Sequence, residues 1–316
     1  AATGAGTGTH PGFSRFRMKS PDAPQPRIDG KGAAVLAQWK HEIEGAWHEK
    51  KDSSSTEAEA NAYCNVDATR FPVRGKAYIL DGKKQPSKSA AFTLVCSKCF
   101  LSDFKATGAV ASVSSLRNFL REHEENEYFI QTWTVPATAP SSTSGSGSSG
   151  VGQYTVVNLF QRTLAKGKDP VFDTLYEKFR TGDDEFRKER LKMIPEILQA
   201  PWAVKSMVRM LSGSLRPALI AQKLTTTFFT GKNYIEASID TGSSCAVSMA
   251  AKTMVRTFSS IVANIAWLIE GRDEGELPER VLGAAFASKV DVKAVATRLE
   301  RRLNLESTTS SPIRSP

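Results

Sequence analysis

The sequence is poor in the residues that do most protein chemistry. Its 316 residues include four cysteines and four histidines. Cys64, Cys96, Cys99 and Cys245 are too few and too unevenly spaced for a disulfide framework, so reduced thiols are expected. Cys96 and Cys99 form one C-x-x-C, without the second pair that a structural zinc site needs. His10, His41, His48 and His123 share no ligand spacing. None lies beyond residue 123, which leaves most of the chain without a histidine base. Neither a metal nor a cofactor is expected. Gly-Lys pairs occur, but none completes the G-x-x-x-x-G-K-[ST] phosphate loop. The first residues, AATGAGTGTHPG, lack the charged and apolar regions of a secretory signal. A cytoplasmic protein is expected, peripheral at a membrane where its charge finds one.

Charge is present in excess and is unevenly placed. The net charge is +9, and residues 1–70 hold equal numbers of acidic and basic groups, so the surplus lies in residues 71–316. A basic body selects anionic partners such as a phospholipid headgroup or a membrane surface. Nucleic acid is not expected, because the aromatics sit on apolar faces rather than among the basic clusters.

Composition divides the chain. Residues 1–32, rich in Gly, Ala, Thr and Pro, read as a disordered tail. Residues 33–50 read as an amphipathic helix, with apolar residues from Val35 to Trp47 three and four apart. Residues 51–70 read as linker, 71–303 as one domain with a flexible insert at 138–152, and 304–316 as a polar tail. Within the domain, Phe92–Cys96, Tyr128–Val135 and Tyr154–Thr163 read as strands, the last two joined as a hairpin through the insert. Ser112–Glu124, Asp169–Gly182 and the stretch from Asp183 read as helices. A second hairpin spans 218–240, with Ile235, Ala237 and Ile239 on one side of its second strand and Tyr234, Glu236, Ser238 and Asp240 on the other. Apolar steps from Val247 through Met254, Phe258, Ile261 and Ile265 to Leu268 predict a long helix over Ser244–Glu270. The expected fold class is therefore α+β, an antiparallel sheet packed against a long C-terminal helix in a helix-grip, START-like arrangement.

Asp240-Thr241-Gly242 imitates an aspartic protease loop. That chemistry needs two carboxylates sharing a proton, and the chain has no second such loop. A strand end, a glycine turn and a helix cap at Ser243 or Ser244 explain these residues better, with free N–H groups open to an anion.

Three segments carry a family resemblance: VRGKAYILDGKK at Val73–Lys84, GDDEFRKERLKMIP at Gly182–Pro195 and NYIEASIDTGSS at Asn233–Ser244. With Leu268-Ile269-Glu270 and Glu276-Leu277-Pro278-Glu279, they resemble the C-terminal domain of the plant Enhanced Disease Resistance 2 proteins over about residues 71–291. In that family the domain follows a pleckstrin-homology and a START domain, and the proteins regulate defence at membranes. The resemblance implies a non-enzymatic, lipid-binding or membrane-associated regulatory domain. The alternatives are a protein-interaction scaffold without a lipid cavity and an enzyme of unknown type, for which Asp240, Glu236, Asp183 and Asp184 are the carboxylates. Candidate ligand-binding residues are Arg74 and Glu236 as buried polar groups and Asp240, Ser243 and Ser244 at the strand end. Met254, Phe258, Ile261 and Ile265 are the candidate cavity wall; no catalytic residue is assigned.

Overall fold

Runs of β-branched and aromatic residues organise this molecule into two sheets that share one core. The computed structural model describes residues 63–104, 106, 108–137, 152–202, 204–206, 209, 217–243 and 257–299. The strands are β1 (Tyr63–Asn65), β2 (Pro72–Arg74), β3 (Lys84–Pro86), β4 (Phe92–Ser102), β5 (Tyr128–Pro136), β6 (Gln153–Arg162), β7 (Leu191–Gln199), β8 (Thr225–Thr230), β9 (Tyr234–Asp240), β10 (Val262–Ile269), β11 (Val281–Ser288) and β12 (Thr297–Arg298). The helices are short: α1 (Tyr78–Asp81), α2 (Ala109–Ser112), α3 (Ser114–Glu122), α4 (Pro170–Thr181), α5 (Asp184–Arg190), α6 (Ile220–Lys223) and α7 (Val292–Val295).

A four-stranded sheet has the order β1-β11-β10-β7, and a six-stranded sheet has the order β12-β4-β6-β5-β9-β8. β2 and β3 make a separate hairpin. β5 and β6 pair antiparallel, whereas β5 and β9 run parallel at the middle of the large sheet. Between the sheets lies a core drawn from both, with Phe129, Phe160, Ile235, Ala237 and Ile239 meeting Trp267, Ile269 and Leu282. α4 adds Phe172, Leu175, Tyr176 and Phe179 to it. The outer face of the large sheet is covered by α2 and α3, where Val110, Leu116, Phe119 and Leu120 pack on Ile130, Val157 and Leu159. The outer face of the small sheet is covered by Ala68, Phe71 and Val73.

The expected α+β fold with a long C-terminal helix gripping one antiparallel sheet is overturned. Among the described residues the longest helix is α4, of 12 residues. Val262–Ile269, assigned to the end of the long helix, is instead β10, paired on both sides by β7 and β11. Its residues are buried on both faces, so its apolar run has no period of two, and a helical template accepts it equally well. The helix expected from Asp183 ends at Arg190, and Leu191–Gln199 continues as β7. Ser112–Glu124 is broken at Val113 into α2 and α3, so neither Ser114 nor Ser115 is its N-cap. Tyr63–Asn65, within the stretch read as linker, pairs with β11. The tails, the 33–50 helix, most of the 138–152 insert and residues 244–256 lie outside the described residues.

Close approach of the sheets depends on Gly283. A Cβ there would lie 2.7 Å from the Phe160 ring. Gly283→Val is expected to lower stability by about 1–3 kcal/mol through overpacking. An unchanged thermal melt would show that the sheets have room to spare.

Candidate functional site

The least regular of the three motif segments builds one corner of the molecule. In Val73–Lys84, Arg74 pairs with Lys84 across the β2–β3 hairpin. Gly75 donates its N–H to the Lys83 carbonyl, and a Cβ at Gly75 would come within 3.1 Å of that oxygen. Gly82 closes α1 with φ of 63°, a left-handed conformation that glycine adopts without strain. The turn projects Ile79 and Leu80 outward, and they are 50% and 82% exposed. Lys76, Lys83 and Lys84 surround them and are also exposed.

Behind this turn the other motifs converge. The Glu270 N–H bonds the Arg190 carbonyl, and Leu268 pairs with Lys192, so the end of β10 sits against the start of β7. The Glu279 N–H bonds the Arg74 carbonyl, which draws the β2 hairpin onto the loop before β11. A continuous ion-pair network results. Lys192 Nζ lies 2.8 Å from Glu279 and 3.4 Å from Glu270. The Arg74 guanidinium lies 3.1 Å from Glu270, donates to the Gly271 carbonyl at 2.7 Å and sits 4.9 Å from the Tyr78 ring centre. Glu279 also accepts the backbone N–H of Arg74 at 2.9 Å and that of Gly271 at 3.3 Å. Arg272 joins at Glu270, and Arg190 pairs with Glu276 at 2.5 Å. Burial pushes the Glu276 carboxyl up, but the Arg272 N–H and the Arg190 guanidinium outweigh it and hold it below the ordinary glutamate range.

In front of the network opens a cleft of about 350 Å³ lined by Arg74, Tyr78, Lys84, Lys192, Lys223 and Glu270, with Pro217–Leu219 and Gln222. Glu270 and Glu279 offset Arg74 and Lys192, so Lys84 and Lys223 are the cations of the lining left in excess. The cleft thus carries an excess of positive charge. Among the described residues, Lys84 and Lys223 make no ion pair.

Of the residues singled out from sequence, Arg74 alone belongs to this corner. Glu236 lies on the opposite side of the large sheet, fully buried. It accepts the N–H groups of Ala109 and Val110 at 2.6 and 3.1 Å and the Thr132 hydroxyl at 2.9 Å. Burial raises its carboxyl above the ordinary range despite those three donors. Asp240 takes the Gly242 N–H onto its side chain, and the Ser243 hydroxyl donates to the Asp240 carbonyl while accepting the Thr225 N–H. Ile265 packs against the central core, and Phe258 and Ile261 pack in a small cluster with Val204 and Ala263. Ser244 and Met254 lie outside the described residues. Asp183 caps α5 through the Phe186 N–H. Both Cys96 and Cys99 are buried thiols pushed up to about 12 by burial, and they sit in different packing clusters.

Lys192, Glu270 and Glu279 were not assigned a role from sequence. Their motif stretches were recognised, but the pairing that joins them runs through space between segments far apart in the chain. One local signal did exist: Pro195 stands inside the supposed helix, where it removes a hydrogen bond and clashes with the preceding turn.

Comparison with known proteins agrees with this gathering of motifs. The family model described as Protein ENHANCED DISEASE RESISTANCE 2, C-terminal, matches residues 63–291. A relative from Arabidopsis thaliana, named Protein ENHANCED DISEASE RESISTANCE 2-like, is 28% identical over 234 residues. That alignment covers 74% of this chain but 29% of the relative, so the chain corresponds to a minor part of that protein's length. No solved structure matches. With its match beginning at β1 and ending in the turn before α7, the chain belongs to the Enhanced Disease Resistance 2 C-terminal domain family.

Proposed function

We propose that this domain is a non-enzymatic regulatory module that docks on anionic membrane surfaces through the Val73–Lys84 corner. The observation that carries the proposal is the exposed Ile79–Leu80 tip ringed by Lys76, Lys83 and Lys84. An apolar tip gains by entering the headgroup boundary, and each lysine near an anionic leaflet adds about 1 kcal/mol. Among the described residues, no helix is long and apolar enough to cross a membrane. The non-enzymatic reading is supported by the settings of the candidate carboxylates. Glu236 is a buried acceptor, Asp240 closes a turn and Asp183 caps a helix.

Leu80→Asp removes the tip's apolar contact and adds a charge of the wrong sign. It is expected to weaken binding to vesicles of phosphatidylcholine and phosphatidylserine by roughly 10- to 100-fold, with no change in thermal stability. Cosedimentation at low and high salt checks this. Wild-type protein that ignores these vesicles at low salt, or a variant that binds as well as wild type, would sink the proposal.

A second reading, a protein-docking scaffold, is favoured by Trp202, which is 79% exposed beyond the far end of β7 from Lys192. Tryptophan is enriched among the anchor residues of protein interfaces. The vesicle experiment decides between the readings.

A further inference from the structure

We infer that the cleft between the α1 turn and α6 is a binding site for a phosphate monoester, an inference that rests on the membrane-docking reading for its approach to a bilayer. Its lining holds Arg74, Lys84, Lys192 and Lys223 against Glu270. With Arg74 and Lys192 offset by Glu270 and Glu279, Lys84 and Lys223 leave an excess of two charges, half of which a carboxylate or phosphodiester would leave unbalanced. A phosphate monoester carries about −1.5 to −2 near neutral pH and offers three acceptor oxygens. It therefore matches the charge of Lys84 and Lys223 and offers oxygens to several donors at once.

The donors differ in how they are held. The Arg74 guanidinium is fixed before any ligand arrives, by the Gly271 carbonyl at 2.7 Å, Glu270 at 3.1 Å and the Tyr78 ring. Lys192 is anchored by Glu279 and Glu270. Glu270 and Glu279 balance the charge of these two, which present fixed donors at the base of the cleft at little further entropic cost. Lys84 on β3 and Lys223 at the end of α6 are exposed and make no ion pair among the described residues, so neither must break a contact to reach an anion. The volume of about 350 Å³ suits a phosphate with a small polyol attached. The Ile79–Leu80 tip borders the cleft through Tyr78, so a bilayer engaged by that tip lies beside the cleft mouth. The same chemistry is offered by a lipid headgroup and by a soluble phosphorylated polyol.

The full chain is tested with two kinds of probe. Glycerol 3-phosphate, titrated by calorimetry or NMR, reads the cleft alone. Phosphatidylcholine vesicles containing either phosphatidic acid or phosphatidylserine, matched in surface charge, read the lipid source. Glycerol 3-phosphate is expected to bind wild type. Lys223→Ala should weaken that binding about tenfold, the loss expected for one charge-assisted contact, and Lys223→Arg should restore most of it. Lys223→Ala should also abolish any preference for phosphatidic acid while leaving phosphatidylserine binding intact. Leu80→Asp should do the reverse, losing both vesicle types and keeping the soluble ligand. A phosphatidic acid preference supports a lipid headgroup as the source. Soluble binding without that preference supports the site with a free phosphate compound as its ligand. Absence of both, or Lys223→Ala binding glycerol 3-phosphate as wild type does, overturns the site. Those results do not bear on docking, which fails separately if Leu80→Asp leaves vesicle binding unchanged.

Discussion

Glu279→Ala is expected to lower stability by about 3–5 kcal/mol, the usual cost of removing one partner from a buried ion pair. The Glu279 side chain is wholly buried and takes four donors: Lys192 Nζ, the N–H groups of Arg74 and Gly271, and the Arg74 guanidinium at longer range. Its loss leaves the buried Lys192 ammonium with only the longer Glu270 contact at 3.4 Å, and opens two backbone N–H groups. In a domain of this size the effect corresponds to a fall of roughly 6–20 °C in Tm. The double change Lys192→Met with Glu279→Gln should recover much of it. It removes both charges, and the amide oxygen still accepts the Arg74 N–H. A double-mutant cycle should give a coupling of about 1–3 kcal/mol. Additive losses would mean that Lys192 and Glu279 do not act on one another.

The second large effect belongs to Glu236. Glu236→Ala leaves the N–H groups of Ala109 and Val110 buried without acceptors, at about 1–3 kcal/mol each, so a loss of about 2–5 kcal/mol is expected. Glu236→Gln costs less, since its amide oxygen satisfies one donor while its NH2 opposes the other. The pH dependence has a definite sign. Burial raises the folded carboxyl above the ordinary glutamate value of 4.5. Between that value and the raised one the folded state binds more protons than the unfolded state, so stability falls as pH rises through the window. The contribution is complete below pH 4.5 and is lost once the folded group ionises. Denaturant titrations across the acidic range should show this slope in the wild type and its removal in Glu236→Gln. A variant with the wild-type slope would place the titrating group elsewhere.

Much of the large sheet was legible because its strands are bounded and distinctive. Tyr128–Val135 and Tyr154–Thr163 are aromatic and β-branched runs, and the structure extends the first to Pro136, shifts the second by one residue to Gln153–Arg162 and keeps their pairing. The facing of β9 could also be read, because Glu236 lies on the helix-covered side and Ile235, Ala237 and Ile239 face the inner core. In the small sheet β7 and β10 were not legible. β10 and the first half of β7 are buried on both faces by the large sheet and by the Ala68–Val73 segment, so polar residues no longer alternate. Lys192 and Glu196 in β7 are polar, but their partners Glu279 and Arg70 come from other elements, and spacing within the strand does not announce them. The site suffered for the same reason. Arg74 drew attention as a polar residue in a motif. Its meaning came from Glu270 and Glu279, which the chain delivers only after β10.

The small sheet also dictates the order in which this protein can be completed. Its inner strands, β10 and β11, are made last, while the edge strand β1 is made first and pairs Tyr63 with Ala287. In the large sheet β9 must likewise find β5 from far along the chain. Such distant pairings fold slowly and leave strand edges open meanwhile. A nascent chain emerging from the ribosome therefore carries β1 and β7 without their sheet partners, and β5 open on its β9 side, until most of the domain has been synthesised. Chains truncated before β11 have no edge on which β1 can settle. The small sheet therefore closes only once its last two strands, β10 and β11, are both available.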